Sequence, residues 1–116
     1  MPAPSKSQTI TERSAGRRLP AHRPPTHPGE MLEEEFLKPL EISRAELARH
    51  LDIPYSRLSS IIKGRSPVTP DTALRLSQVV GMSADFWLGL QQDWDLWQAM
   101  RRPEARAIFR LKPLAA

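Results

Sequence analysis

The sequence predicts an all-α protein of about five helices, and three observations support this. Apolar residues recur at intervals of three and four residues in successive segments, which is the period of an amphipathic helix. Capping residues, prolines and glycines lie where those segments begin and end. No segment alternates apolar and polar residues with the period of two that is typical of a half-buried strand.

The first two helices have clear start signals. Pro28 suits the first position of a helix, where its missing N–H has no intrahelical acceptor, and Glu30 lies in the positive first turn. We expect Pro39 to end this helix, because proline cannot donate the helical hydrogen bond. Ser43 and Glu46 then form a capping box, which predicts the start of the second helix.

The next two helices are marked at both ends. Leu58 and Ile61 lie on one face of a third helix, and Gly64 suits a left-handed cap at its end. The run from Thr69 to Asp71 supplies a cap, a first-turn proline and an acidic residue for a fourth helix, which we expect to end at Gly81.

The fifth helix is predicted to begin after Ser83 and to run past Trp97. Beyond it, Pro103 and Glu104 could start a sixth short helix, while residues 107–111 are equally compatible with extended chain. The sequence thus divides into a disordered or loosely attached basic tail at 1–26, a helical domain at 27–100 and a basic extension at 101–116.

Length and composition exclude several classes of protein. The chain has 116 residues, which fits one domain, and it contains no cysteine, which excludes a disulfide scaffold, a thiolate zinc site and a thiol nucleophile. No apolar run approaches the ~18 residues of a membrane span, and the first residues lack the apolar core of a signal peptide. We therefore expect a soluble, cytoplasmic protein with no membrane partner.

The charge distribution is more informative than the net charge of +4. Residues 1–27 and 101–116 each carry a net charge of +4, whereas residues 28–100 carry −4. The basic tail could be a solvated leader or a phosphate-binding arm. Within the acidic domain, residues 44–75 hold six basic and three acidic side chains. This local excess is the placement that a DNA-facing element requires.

The second and third predicted helices form a helix-turn-helix pattern: two short helices joined by a tight turn, with a glycine after the second. Ala48 is small where the two helices should cross, and Ile53 can fill the turn between them. Leu58 and Ile61 anchor one face of the third helix. The opposite face offers Tyr55, Ser56, Arg57, Ser59, Ser60 and Lys63 to a partner. A helical bundle with this spacing by chance is the alternative.

The run HPGEMLEEEFLKPL, from His27 to Leu40, resembles the opening of the HigA-type antitoxin family, a branch of the Cro/repressor-like helix-turn-helix proteins. Further segments continue the resemblance in order and at family spacing: 43–51, 53–58, 72–76, 86–88 and 95–97. Arg44 stands where the family often carries glutamine, so a glutamine-type contact does not transfer. Asp52 stands where glycine is common, and aspartate tolerates the left-handed backbone of such a turn.

This resemblance implies an antitoxin that neutralises a HigB-like toxin, a ribosome-dependent mRNA endonuclease of the RelE type. It also implies that the protein represses its own operon by binding a palindromic double-stranded operator as a homodimer. A stand-alone helix-turn-helix repressor with no toxin partner is one alternative. A protein-interaction module that kept the fold but lost operator binding is another.

Candidate DNA-binding residues follow from position on the recognition helix. Tyr55, Ser56 and Arg57 open this helix, where helix-turn-helix proteins contact base edges, and Arg57 suits a bidentate contact to guanine. Ser56 could instead cap the helix or bind a phosphate, and Ser60 is a weaker base-contact candidate. Three cations are assigned to phosphates: Arg44, Lys63 and Arg65. For each charge, a solvated surface residue is the alternative.

Aromatic residues form one stripe of the fifth helix, where Trp87, Leu90, Trp94 and Trp97 recur at helical spacing. Part of this stripe must belong to the core of so small a domain. Because the resemblance suggests dimerisation through the C-terminal part, Trp94 and Trp97 are also candidate anchors of a dimer interface. Core packing alone is the alternative.

Acidic residues are concentrated outside the helix-turn-helix. Glu33, Glu34 and Glu35 follow one another in the first helix, so at least one of them must face outward. An RNA-cleaving toxin must be basic, and these glutamates are therefore the candidate toxin contact. A solubilising acidic face is the alternative.

No pattern of residues predicts catalysis. The three histidines, His22, His27 and His50, lack zinc-ligand spacing, and the sequence has no glycine-rich phosphate loop. The consecutive glutamates point around their helix instead of into one site. We therefore expect no enzyme activity, no metal and no cofactor.

Overall fold

The computed structural model describes residues 24–115, and every regular element in this range is a helix. The all-α prediction is thus confirmed for the described part of the chain. The basic tail predicted for residues 1–26 lies outside the described residues, apart from 24–26.

Six helices follow one another within the described range. Helix α1 has three consecutive segments, α-helical at Pro28–Leu32, π-helical at Glu33–Leu37 and α-helical again at Lys38–Leu40. The other helices are α2 (Arg44–Leu51), α3 (Tyr55–Ile62), α4 (Pro70–Val79), α5 (Ala84–Arg101) and α6 (Ala105–Phe109). The region after Pro103, for which the sequence left two alternatives, thus includes a short helix.

The prediction that Pro39 ends the first helix is wrong, because α1 continues through Pro39 to Leu40. In a regular α-helix the proline ring would press on the carbonyl four residues earlier. Here the preceding turn is widened, and the Lys38 N–H donates to the Glu33 carbonyl five residues back. The wider turn relieves that contact, and the helix ends one residue later, where Glu41 takes a left-handed conformation (φ 56°).

The predicted caps are confirmed. Hydroxyl oxygens of Ser43, Thr69 and Ser83 accept hydrogen bonds from N–H groups three residues ahead, at 3.0, 3.3 and 3.1 Å. Gly64 and Gly81 have φ values of 77° and 95°, as expected for left-handed residues after helix ends. Local capping chemistry therefore decides where α2, α4 and α5 begin and where α3 and α4 end.

The core lies where α1 to α4 meet the first half of α5. Trp87 is fully buried there, with the Phe86 ring edge-on at a centroid distance of 5.2 Å and the Phe36 ring at 5.9 Å. The other buried core residues are Leu32, Leu37, Leu47, Ala48, Leu51, Leu58, Ile61, Val68, Ala73 and Leu76. This single core holds the helix-turn-helix against α1, α4 and α5.

Gly29 positions the recognition helix relative to α1. The start of α1 crosses the end of α3 so closely that a Cβ atom at Gly29 would lie 2.6 Å from the Ile62 Cα and would overlap the Ile61 carbonyl oxygen. Real Cβ atoms do not come that close to backbone, so only glycine permits this crossing.

Candidate nucleic-acid interface

The N-terminal end of α3 is the most exposed part of the helix-turn-helix. Tyr55, Ser56 and Arg57 are all exposed, and 53% of the Tyr55 surface is accessible. Leu58 and Ile61, on the other side of the same helix, are completely buried. The core therefore anchors α3 by one face and leaves its first turn free to enter a groove of DNA.

The serines of α3 differ from one another. Ser56 lies inside the first turn, whereas the N-cap position is occupied by Pro54 and no side chain caps this helix. The alternative that Ser56 caps α3 is therefore wrong, and its exposed hydroxyl can reach a base or a phosphate. Ser59, expected on the outward face, is buried at 8% exposure. Ser60 is half-buried and only partly accessible to a partner.

Two predicted phosphate-binding residues follow the end of α3. Lys63 and Arg65 are exposed on either side of Gly64. The Gly64 N–H donates to the Ile61 carbonyl at 3.0 Å, and the Arg65 N–H donates to the Ser60 carbonyl at 2.8 Å. These two bonds form a Schellman motif, which holds the backbone between the two cations in one conformation.

Arg44, the third predicted phosphate contact, has a different environment. It is the first residue of α2 and is only half-exposed. Its Nη2 atom lies 3.5 Å from Glu33 Oε1 of α1, and the two side chains are 31% and 28% exposed. A candidate cation of the DNA surface is thus paired with one of the three candidate glutamates.

Arg75, which contributed to the local positive charge, serves the fold instead. Its Nη1 atom donates to the carbonyls of Leu51 and Asp52 at 3.0 and 3.2 Å, and its Nε atom donates to Asp71 at 2.9 Å. The first two acceptors lie at the end of α2, in the turn of the helix-turn-helix. The Asp71–Arg75 spacing is visible in the sequence, whereas the contacts with the turn arise only in the tertiary structure.

The predicted toxin-contact glutamates are not equivalent. Glu34 is exposed and accepts a hydrogen bond from Lys38 Nζ at 2.8 Å, which raises the lysine pKa. Glu33 pairs with Arg44, as described above. Glu35 is exposed and forms no ion pair within the described residues. It is the one glutamate of the three whose charge is not already matched by a described cation.

Glu35 also lies at an apolar groove between α1, α2 and α4. Phe36, Leu40, Ile42 and Val79 contribute to its walls. Leu40 and Val79 are 62% and 41% exposed. Residues of α3 do not line this groove, so a partner seated in it would leave the recognition helix free.

The two candidate dimer-interface tryptophans also pack within the monomer. The Trp94 ring meets the His27 ring edge-on at a centroid distance of 5.0 Å and the Trp97 ring at 5.7 Å. The Arg101 guanidinium lies over the Trp97 ring at 4.6 Å. Both tryptophans remain half-exposed. Sequence reasoning missed Leu96 and Met100, which are one turn apart on α5 and are 51% and 46% exposed.

The described residues contain no group of three His, Cys, Asp or Glu side chains that could hold a metal ion. None of their helices has both the length and the apolar character needed to cross a membrane.

A helix anchored in the core by one face, a tight turn and a second helix with an exposed first turn are typical of a helix-turn-helix protein. A helix-turn-helix family model matches residues 34–87. Three relatives are similar to this chain in sequence. Virulence-associated protein I of Dichelobacter nodosus is 43% identical to it, over 79% of this chain and 83% of the relative. Antitoxin HigA-1 of Vibrio cholerae is 36% identical, over 79% of this chain and 86% of the relative. The uncharacterised helix-turn-helix regulator YbaQ of Escherichia coli is 40% identical, over 67% of this chain and 69% of the relative.

A solved structure extends the likeness to three dimensions. Antitoxin GraA in complex with its operator has a TM-score of 0.73 and is 37% identical, over 85% of this chain and all of that one. The chain belongs to the HigA-type antitoxin family of helix-turn-helix proteins. This is a family of DNA-binding regulators and not a known class of enzyme.

Proposed function

We propose that this protein is an autoregulating antitoxin: it binds a palindromic operator as a homodimer and neutralises a HigB-like, mRNA-cleaving toxin. The exposed first turn of α3, with Arg57 at its centre and Lys63 and Arg65 beyond its end, carries the DNA-binding half of the proposal. Membership of the HigA-type family and the operator-bound GraA relative support it.

The division of labour on the DNA surface follows from burial and charge. Arg57 in the first turn reads a guanine in the major groove, with Tyr55 and Ser56 beside it and Ser60 behind. Lys63 and Arg65 neutralise phosphates and position the helix without reading sequence. In a two-fold dimer the two α3 helices enter successive major grooves about 34 Å apart, so the half-sites are about 10 bp apart between centres.

Substitutions on α3 test the DNA-binding half. Arg57→Ala should weaken binding to the DNA upstream of the gene by about 1–3 kcal/mol and relax the preference at one base pair, because the guanine contact is lost. Lys63→Ala should weaken binding to all DNA. It should also make the slope of the logarithm of the affinity against the logarithm of the salt concentration shallower by about one. Lys38→Ala, which removes a lysine of α1, is the control, and mobility shifts at several salt concentrations are the measurement. Equal affinity of the wild type for upstream and scrambled DNA would contradict this half.

The toxin-binding half rests on the acidic and apolar surface of α1. The charge of Glu35, which pairs with no cation among residues 24–115, lies beside an apolar groove and suits a basic protein that also offers an apolar side chain. Glu33 and Glu34 belong to the same proposed contact, and each of them also pairs with a cation of this chain. Because the groove is lined by α1, α2 and α4, toxin and operator can occupy different faces of one molecule.

Co-expression with the neighbouring small gene tests the toxin half. Rescue of growth arrest and co-purification are expected for an antitoxin. A repressor without a toxin partner, the second candidate suggested by the regulator YbaQ, would do neither while still binding DNA. Once a complex is in hand, Glu35→Lys should slow association at low salt and lose this effect as screening rises. Glu104→Lys, the same exchange at an exposed residue that does not line the groove, should leave the rate near that of the wild type.

A further inference from the structure

We propose that Glu33 regulates the DNA surface by holding Arg44 in an ion pair, so that a DNA phosphate must compete with this carboxylate for the guanidinium. The inference rests on the proposed function, because it needs Arg44 to be a phosphate contact. The Glu33–Arg44 pair joins the acidic surface of α1 to the basic surface of the helix-turn-helix.

The first observation is the position of the pair. Arg44 is the first residue of α2, directly after the Ser43 cap, so its side chain extends from the N-terminal end of the helix-turn-helix. Glu33 begins the π-helical segment of α1. Their charged atoms are 3.5 Å apart although eleven residues separate them in the chain. The tertiary structure therefore creates a contact that neither helix specifies alone.

The second observation is the strength of the pair. A distance of 3.5 Å is at the long end of hydrogen-bond geometry, and about 30% of the surface of each side chain is accessible to solvent. Pairs of this kind, in contact with solvent, contribute little to stability. A phosphate can displace such a partner, whereas a tight buried pair would keep the arginine from DNA altogether.

The third observation is the contrast with the other cations. Lys63 and Arg65 form no ion pair within the described residues, so a phosphate meets no internal competitor there. When Arg44 moves to a phosphate, however, the Glu33 carboxylate is left exposed and attracts a cation from solution. That uptake offsets part of the counterion release that drives binding. Neutralising Glu33, by substitution or by a cationic side chain of a bound partner, removes the offset and strengthens DNA binding.

The test compares Glu33→Gln with Glu34→Gln. The two variants lose the same charge one residue apart on α1, but Glu34 pairs with Lys38 and not with Arg44. Affinity for the upstream duplex and for a scrambled duplex is measured by fluorescence anisotropy from about 50 to 200 mM NaCl. Glu33→Gln should bind the upstream duplex about two- to fivefold more tightly than Glu34→Gln. Its slope of log affinity against log salt concentration should be steeper by up to about one. Equal affinities and slopes for the two variants would overturn the proposal.

Two further variants guard against misinterpretation. In an Arg44→Ala background Glu33→Gln should match Glu34→Gln, since the competition no longer exists; a persistent difference would mean that Glu33 acts by general electrostatics. Arg44→Ala alone should flatten the salt dependence less than Lys63→Ala, and this comparison stands even if Glu33→Gln does not fold. Failure of the proposed function is seen separately, as a wild type that does not distinguish upstream from scrambled DNA.

Discussion

His27 joins three helices at one point. Its Nδ1 atom accepts a hydrogen bond from the Gly29 N–H at 2.8 Å and so caps α1, while its ring packs against Trp94 of α5. A side chain at Gly64, just after α3, would meet the same ring at 3.7 Å. Sequence reasoning placed this histidine at the start of the family-like run and found no zinc spacing around it. It did not find the contacts with α5 and with the end of α3, because those elements are distant in the chain.

The burial of His27 predicts a pH-dependent stability. Desolvation lowers its pKa below the ordinary value of 6.5, although Asp95 and Glu30 oppose the shift. The fold prefers the neutral ring, so the contribution of His27 is complete above about pH 6.5 and is lost as the pH falls toward the folded-state pKa. His27→Asn keeps a good N-cap without titrating. Urea unfolding should show a weaker loss of stability for this variant than for the wild type between about pH 7 and 5.

The comparison has a matched control. His50→Asn makes the same exchange at an exposed histidine in the last turn of α2 and controls for the substitution itself. If the wild type and His27→Asn lose stability in parallel over this interval, the neutral cap at His27 contributes no pH dependence.

At the scale of single elements, local chemistry explains most of what was predicted. Ser43, Thr69 and Ser83 satisfy N–H groups within three residues of themselves, and Gly64 closes its own helix, so short-range pattern is sufficient. The exception is α1, where Pro39 was expected to act as a stop signal. A π-helical turn accommodates the proline, and nothing in the local residue pattern distinguishes that outcome from termination.

Only part of the helix-turn-helix could be predicted from local sequence pattern. Ala48 was predicted to lie where its two helices cross, and Leu58 and Ile61 were predicted to anchor α3 on the core. All three are buried. The outward face of α3 was predicted less well, since Ser59 faces the core. Its position three residues before Ile62 and next to Leu58 places it at the border of the apolar stripe, where helical spacing alone does not decide burial.

At the scale of the whole molecule, the C-terminal helices α5 and α6 expose large apolar side chains that could join two copies. Leu96 and Met100 are exposed on α5, and Ile108 and Phe109 are 61% and 65% exposed on α6. Large apolar side chains left exposed together are typical of protein interfaces. Together with the half-exposed Trp94 and Trp97, they are candidate contacts of the proposed homodimer.

Charge placed on this surface should separate the dimer. The double variant Leu96→Asp, Met100→Asp should weaken self-association about 100-fold or more, because two carboxylates would be buried without partners. DNA affinity should then fall as well, since one recognition helix covers one half-site. Light scattering measures the first effect. Leu74→Asp, at a leucine 61% exposed on α4, is the control, and a double variant that stays dimeric would move the interface elsewhere.

The sequence by itself determined the all-α class, the boundaries set by capping residues, the helix-turn-helix and the membership of the HigA-type family. All of these depend on short-range spacing, which the residues carry without reference to the rest of the fold. Only the tertiary structure decided which charges are free. Arg75 is held by the carboxylate and carbonyls around it, Arg44 is paired with Glu33, and Glu35 is left at an apolar groove. The reason is physical: a charge is matched by whatever packing brings within a few ångströms of it, and packing joins residues that are far apart in the chain.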